Sequence, residues 1–307
     1  MANLREIKKR ISSIETTEQI TRTMEMVSTA KIARALTREY NSEPYRNAIT
    51  DVMLTVAADA AHETNSPLLA NPEHYESALV IVISSDRGLA GGFNVQVERE
   101  VEKRLDHFRR HGAKSVEIIT CGRKATDYFK HHEHEGARVV MTFVGSSDNP
   151  TIETARMIES YVCEGFGSGK FGRVDIVYTH AVNRVEQRMR DERVLPLDPV
   201  VLGTARGPRA NETDRPQRLS SPFEYSPSAS HVLGMLIPSY VLTVIHQALI
   251  DSAAAEQAAR RKAMHSANEN ANAIIADLKR TYSRVRQASI TTEINEIVGG
   301  AAALEEY

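Results

Sequence analysis

The chain has 307 residues, of which 41% are hydrophobic and 25% charged, with a formal net charge of −2, a balance that fits a soluble protein of one large or two ordinary domains. Its two cysteines, Cys121 and Cys163, stand far apart with no C-x-x-C spacing, which argues against a disulfide framework or zinc site and for buried free thiols in a reducing compartment. The aromatic content is 6% without Trp, which leans toward long helices rather than an all-β barrel.

The opening stretch, "MANLREIKKRISSIE", lacks the apolar core of a secretion signal, so no targeting segment is expected to be removed. No Gly or Pro occurs from Met1 to Glu43, a run far longer than an ordinary helix. Leu4, Ile7, Ile11 and Ile14 step by 3, 4, 3, the spacing of a coiled-coil seam. After a looser turn through Thr17, the stripe is expected to continue through Ile20, Met24 and Val27. Pro44 should kink the helix without abolishing it, with Tyr45, Ile49, Val52 and Val56 resuming the seam. A first helical segment over 1–60 follows.

The next element is "ALVIVISSDRGLAGGFN", 78–94, an apolar β-branched strand running into a glycine-rich turn and a helix. Many nucleotide-binding proteins begin this way. The turn offers G-x-x-G-G through Gly88, Gly91 and Gly92, followed by Phe93 and Asn94, and meets neither the Walker loop nor the G-x-G-x-x-G fingerprint. Strands then alternate with helices: helix 94–110, strand 115–120, helix 123–132, strand 137–144, helix 151–166 and strand 173–182. That alternation predicts a mostly parallel, Rossmann-like sheet over 75–202, with 185–197 as an antiparallel edge.

Two decoys lie in this region. "GSGKFG", 167–172, has dinucleotide spacing but follows a helix, the reverse of what phosphate binding at a helix N-terminus requires. "HHEHEG", 131–136, is read as a solvated helix end, since no H-E-x-x-H spacing supports a metal. No Ser-His-Asp or G-x-S-x-G context appears, and no active site, metal or cofactor is expected.

Residues 203–222, rich in Gly, Pro and Arg, read as a flexible surface loop. Tyr225–Ile250 contains no charged side chain, yet its serines, His231, His246, Gln247, Pro227 and Pro238 argue against a membrane span. No Gly or Pro interrupts Ser239 to Val298, so a second long helix is expected over 228–307. Its stripe reads Met264, Ala267, Ala271, Ile274, Leu278, Thr281, Val285 and Ala288, then shifts to Ile290, Ile294, Ile297, Ala301 and Leu304. Two rods at opposite ends of the chain pair most economically as an antiparallel left-handed coiled coil. Residues 1–40 carry 8 Lys/Arg against 5 Asp/Glu, and 256–290 carry 7 against 3, so the rods are basic and suit an acidic sleeve. Interleaved acids and few aromatics argue against nucleic acid.

"IKKRISSIETTEQITRTMEMVSTAKIARA", "SSDRGLAGGFN" and "RQASITTEINEIVGGAAAL" together resemble the gamma-subunit family of the F-type proton-translocating ATP synthase, over nearly the whole chain. The resemblance implies a non-catalytic central-stalk rotor, peripheral on the cytoplasmic side of a bacterial cell membrane. Its implied partners are the alpha and beta head subunits, the epsilon subunit and the membrane c-ring. By the same resemblance Met24, Arg260, Arg286, Gln287, Thr291, Glu293 and Glu296 correspond to head-contact and coupling positions. Asp86, Arg87, Gly88, Gly91 and Gly92 fall in the shoulder loop, and Phe223 and Glu224 in the foot that meets the ring. Arg261, Lys262 and Asn268 depart from the family pattern. The competing readings are a nucleotide-binding α/β enzyme with helical arms and a free coiled-coil scaffold.

Overall fold

A computed structural model describes residues 4–60, 75–132, 134–183, 186–197 and 224–305; the expected loop 203–222 and Phe223 lie outside these. Among the described residues the elements in chain order are α1 Leu4–Ala60, β1 Ser77–Ile83, α2 Phe93–Arg110, β2 Ser115–Cys121, α3 Arg123–His131, β3 Ala137–Phe143, α4 Ile152–Gly167, β4 Arg173–Ala181, β5 Gln187–Leu195 and α5 Ala229–Glu305. Helix α1 runs through Pro44 and α5 through Pro238, as helices tolerate when packing on other faces holds them.

The chain divides into two compact units, one formed by the residues up to Ser28 with those from Arg261 onward, the other by Thr29–Arg260. The larger unit therefore takes in α1 from Thr29 and α5 up to Arg260 as well as the α/β segment. The sheet has strand order β3-β2-β1-β4-β5. Its first four strands are parallel and β5 pairs antiparallel with β4, as crossover helices between the parallel strands require.

Alternation along β1 divides the core. Ala78, Val80 and Val82 join Val97, Val101, Leu105 and Phe108 of α2 and Ala125 and Phe129 of α3. Leu79, Ile81 and Ile83 face the other way, onto Ile158, Val162 and Phe166 of α4, Ile49, Met53 and Val56 of α1, and Leu233, Ile237, Val241 and Ile245 of α5. Helix α5 carries a stretch long and apolar enough to cross a membrane by length and composition. Leu233, Ile237, Val241, Ile245 and Leu249 of that stretch are each 5% exposed or less, so its apolar face is spent on the sheet. Both cysteines are free, Cys121 buried and Cys163 half-buried; burial pushes each thiol up to about 12, which makes them inert.

In the smaller unit the helices run antiparallel, fixed by Glu25 Oε1 3.0 Å from His265 Nδ1 and Glu15 Oε1 2.9 Å from Lys279 Nζ. The seam differs from the expected one. On α1 the covered positions are Leu4, Ile7, Ile11, Ile14, Glu18, Thr21, Glu25 and Ser28, an unbroken alternation of 3 and 4 with no looser turn. Ile20 and Val27 are 55% and 51% exposed. Further along, Tyr45 and Val52 also face outward while Ile49, Met53 and Val56 are buried. On α5 the seam passes through Met264, Asn268, Ala271, Ile275, Leu278, Tyr282, Val285 and Ser289, so Ile275 replaces the expected Ile274 and Ala288 is exposed. A coiled coil keeps its heptad register even where the seam residue is polar, because shifting register would rotate every later side chain off the interface.

Candidate partner-binding surfaces

Residues 84–94 connect β1 to α2. Ser85 is fully buried, and its Oγ donates to the Arg87 carbonyl at 2.6 Å and to Asn94 Oδ1 at 2.9 Å, while its own N–H meets Asn94 Oδ1 at 3.0 Å. The loop's polar groups thus satisfy one another. Asp86 accepts from the backbone N–H of Arg123 at 3.0 Å and of Ser147 at 3.0 Å. Burial works against its charge, but hydrogen bonds from the Gly145, Ser147 and Arg123 backbones and the Ser147 hydroxyl outweigh it and hold the carboxyl below the usual carboxylate range. Asp86 therefore pins together the loops after β1, β2 and β3.

Gly91 has φ +59 and Leu89 φ +64, so the turn uses left-handed backbone at two positions. Gly91 and Gly92 are exposed and Gly88 is half-buried. Between them, Ala90 and Phe93 are buried against Ala35, Ala181, Ala254 and Ala255: small residues on α1 and α5 make the room. Leu89 projects outward, 63% exposed.

Arg260 lies under this loop. Its Nη2 sits 2.6 Å from Glu256 Oε1 and donates to the carbonyls of Arg87 at 3.4 Å and Gly88 at 3.3 Å. It is 6% exposed. The side chain expected at a head contact is thus engaged inside the chain, where it clamps the loop after β1 to α5, because a buried guanidinium needs both a carboxylate and carbonyl acceptors.

The crevice beyond the carboxyl ends of the strands, where open α/β sheets bind ligands, is occupied by α5. Ile83, Ser84, Cys121, Gly122, Ser146, Ser147 and Pro150 meet Leu249, Ser252, Ala253 and Glu256 there, around a cavity of about 10 Å³. That is room for about one water. Asp148, in the same group of loops, accepts from Lys31 Nζ at 2.7 Å and Gln257 Nε2 at 2.6 Å, contacts that sequence reasoning missed. The turn signal "GSSDNP", 145–150, was available, but nothing local says which helix a turn aspartate will find.

The remaining expected positions separate by exposure. Arg286, Gln287, Thr291, Glu293 and Glu296 are all exposed on the last stretch of α5. From Ile290 to Ala301 every residue is exposed, including Ile294 at 53%, Ile297 at 70% and Val298 at 62%, so the shifted stripe from Ile290 to Ala301 is left uncovered by the described residues. Met24 is half-buried beside the seam, while Met26 is 59% exposed. Glu224 is exposed. Of the decoys, 168–172 closes α4, with Lys170 N–H on the Gly165 carbonyl at 2.8 Å, and Lys170 Nζ pairs with Glu117 at 2.9 Å. His132 stacks on Tyr128, ring centroids 4.3 Å apart, rather than joining a cluster of metal-ligating groups among the described residues.

A family model described as ATP synthase matches residues 3–304. The chain belongs to the ATP synthase gamma family. Among solved structures it is similar to a chain of the Euglena gracilis mitochondrial ATP synthase in rotational state 3, at TM-score 0.65 and 17% identity, covering 98% of this chain and 94% of that one. A chain of the Tetrahymena thermophila mitochondrial central stalk and c-ring gives TM-score 0.58 and 20% identity over 81% of this chain and 99% of that one. A chain of the Euglena gracilis rotor in rotational state 1 gives 0.58 and 16% over 94% and 98%. At these identities the likeness is one of fold: a five-stranded mixed sheet with long terminal helices. The gamma subunit of this family is part of a rotary ATPase.

Proposed function

We propose that the chain is the central-stalk rotor of an F-type ATP synthase and has no active site of its own. The observation that carries this reading is the pairing of a filled ligand crevice with a thin antiparallel helix pair whose outer surface is apolar and unpartnered. Ile20, Met26 and Val27 on α1, with Ile274, Ile290, Ile294, Ile297 and Val298 on α5, are all more than 40% exposed. Apolar surface of that extent marks a binding face. Together with the basic charge of the rods, it suits insertion into an acidic-lined sleeve of alpha and beta subunits. Exposed Arg286, Gln287, Thr291, Glu293 and Glu296 would meet that sleeve, and Met24 would face it through its uncovered edge.

The α/β domain would sit toward the epsilon subunit and the c-ring, on the cytoplasmic side of a bacterial membrane, with exposed Glu224 meeting the ring. An asymmetric shaft presents a different face to each catalytic subunit, so turning it cycles their nucleotide affinities; each affinity change is limited by the differential contact energy between shaft positions. The test is direct observation of rotation. The head is assembled with the full chain, immobilised, and a bead is attached through Lys103→Cys, a site 72% exposed on α2. ATP should drive one-directional turning of the bead. Steady ATP hydrolysis by an assembled head whose bead does not turn overturns the proposal.

A further inference from the structure

We propose that His107 and His111, one turn apart at the carboxyl end of α2, clamp one divalent transition-metal ion of the copper and zinc class at the surface of the α/β domain. Residues four apart on a helix share a face, and the two imidazole centroids are 4.1 Å apart with the ring planes 37° apart. Two histidines at this spacing are how a single helix supplies a pair of zinc ligands, and with metal–nitrogen bonds of about 2.0–2.1 Å one ion can touch a nitrogen of each. His111 Nδ1 lies 2.8 Å from the His107 carbonyl oxygen. A carbonyl only accepts, so Nδ1 carries the proton and Nε2 keeps its lone pair. Such a bond to a backbone carbonyl is the support that fixes the tautomer and orientation of a metal-bound imidazole. Both side chains are half-buried, His107 between His111 and Phe108, so the rings are packed and still meet solvent.

The surroundings keep His107 a free base. Burial, then the neighbouring His111, Arg104, Arg173 and Arg110, pushes its imidazole down to about 4, so protons do not compete for it at neutral pH. The same arginines bear on an incoming cation, but two of them are neutralised. Arg104 pairs with Asp175 at 3.0 Å and with Asp191, and Arg173 with Asp175 at 2.9 Å, which sets two positive charges against two negative ones. Arg109 is paired with Asp106 at 3.1 Å and Lys114 with Glu76 at 2.8 Å. Arg110 is exposed, where solvent and salt screen it. The helix itself favours a cation at this end, because its last carbonyls carry the negative pole of the macrodipole. Imidazole donors select copper and zinc over magnesium or calcium, and water completes the coordination.

The experiment strips the full-length chain with chelator, titrates Zn²⁺ by calorimetry, and adds one equivalent of Cu²⁺ for electron paramagnetic resonance. The tightest step should take up one ion per chain, and the copper spectrum should show coupling to two imidazole nitrogens. His107→Gln and His111→Gln should each weaken that step at least tenfold and leave one coupled nitrogen, with circular dichroism confirming that the variants fold. His131→Gln/His132→Gln, at the exposed histidines that end α3, should change neither the tightest step nor the spectrum. The proposal is overturned if Zn²⁺ does not bind saturably, or if the tightest step survives both single variants. Loss of that step with the His131 and His132 pair, or copper coupled to fewer than two imidazoles in the unsubstituted chain, overturns it equally.

Discussion

Arg260→Ala should be among the most damaging single substitutions in the larger unit. Its guanidinium lies 2.6 Å from Glu256, with the two side chains 8% and 2% exposed, and removing one partner of such a buried pair costs about 3–5 kcal/mol because the other charge stays behind. Burial already lifts the Glu256 carboxyl above the usual carboxylate range, with Arg260 and the Ser147 hydroxyl pulling it back and Asp148 pushing it up. A carboxyl raised in the folded state stabilises fully below its unfolded value, and that contribution is lost as pH rises through the folded one. Without Arg260 the folded value climbs further, so the loss is largest near neutrality and shrinks on acidification.

Urea unfolding followed by circular dichroism, at pH about 7 and about 5, measures this. Adding Glu256→Gln to Arg260→Ala should recover roughly half of the lost stability, because the stranded charge goes and only a neutral hydrogen-bonding group remains. The reasoning fails if Arg260→Ala costs less than about 1 kcal/mol, the worth of an exposed ion pair. It also fails if the double variant is less stable than the single one.

The other expectations concern register, backbone, acid response and ligand. Ile275 is 9% exposed and Ile274 49%, so Ile275→Ala should cost about 2–5 kcal/mol and Ile274→Ala under about 0.5 kcal/mol in thermal melts of the chain; the reverse order would restore the register read from hydrophobicity. Gly122 has φ +105 and a Cβ there would lie 2.3 Å from the Ser84 carbonyl oxygen, whereas Gly145, at φ +90, has nothing within 4 Å. Gly145→Ala should therefore lose about 1–2 kcal/mol of backbone energy, and Gly122→Ala clearly more, read as soluble yield and unfolding midpoint. Asp86 is held below the usual range, so its contribution is present above the unfolded carboxylate value and disappears as pH falls through the folded one; Asp86→Asn should flatten that part of the acid-unfolding curve. Finally, calorimetric titration of the isolated chain with ATP should show no stoichiometric binding, with Arg87→Ala indistinguishable from wild type; saturable binding at one site would contradict a crevice filled by α5.

Element type and order were legible in the sequence because they rest on local rules. Short apolar, β-branched runs mark strands, Gly and Pro mark their ends, and the β-α alternation leaves a mostly parallel sheet as its natural solution. Residues 185–197 were read as an antiparallel edge, and Gln187–Leu195 forms that strand against β4. The absence of Gly and Pro fixed the long helices, and the first three seam steps from Leu4 set the heptad. What local pattern did not decide was which residues the later seam covers. Hydrophobicity favoured Ile20, Val27 and Ile274, but the partner helix covers Glu18, Thr21, Glu25 and Ile275, since register is a property of two helices together and one helix alone carries no information about its partner's face.

Tertiary structure likewise decided the fate of the polar residues. Arg260 reads on a helix as one more surface cation until Glu256 and the carbonyls of Arg87 and Gly88 are brought beneath it. His180 and Asp251 are 71 residues apart yet meet at 2.8 Å, and no spacing rule joins them. The glycine-rich turn is a local fact, yet its use was settled by the alanines of α1 and α5 that receive Ala90 and Phe93. Sequence specifies which backbone shapes are cheap; which charges lose their water, and to whom they turn instead, is fixed only when distant segments close over them.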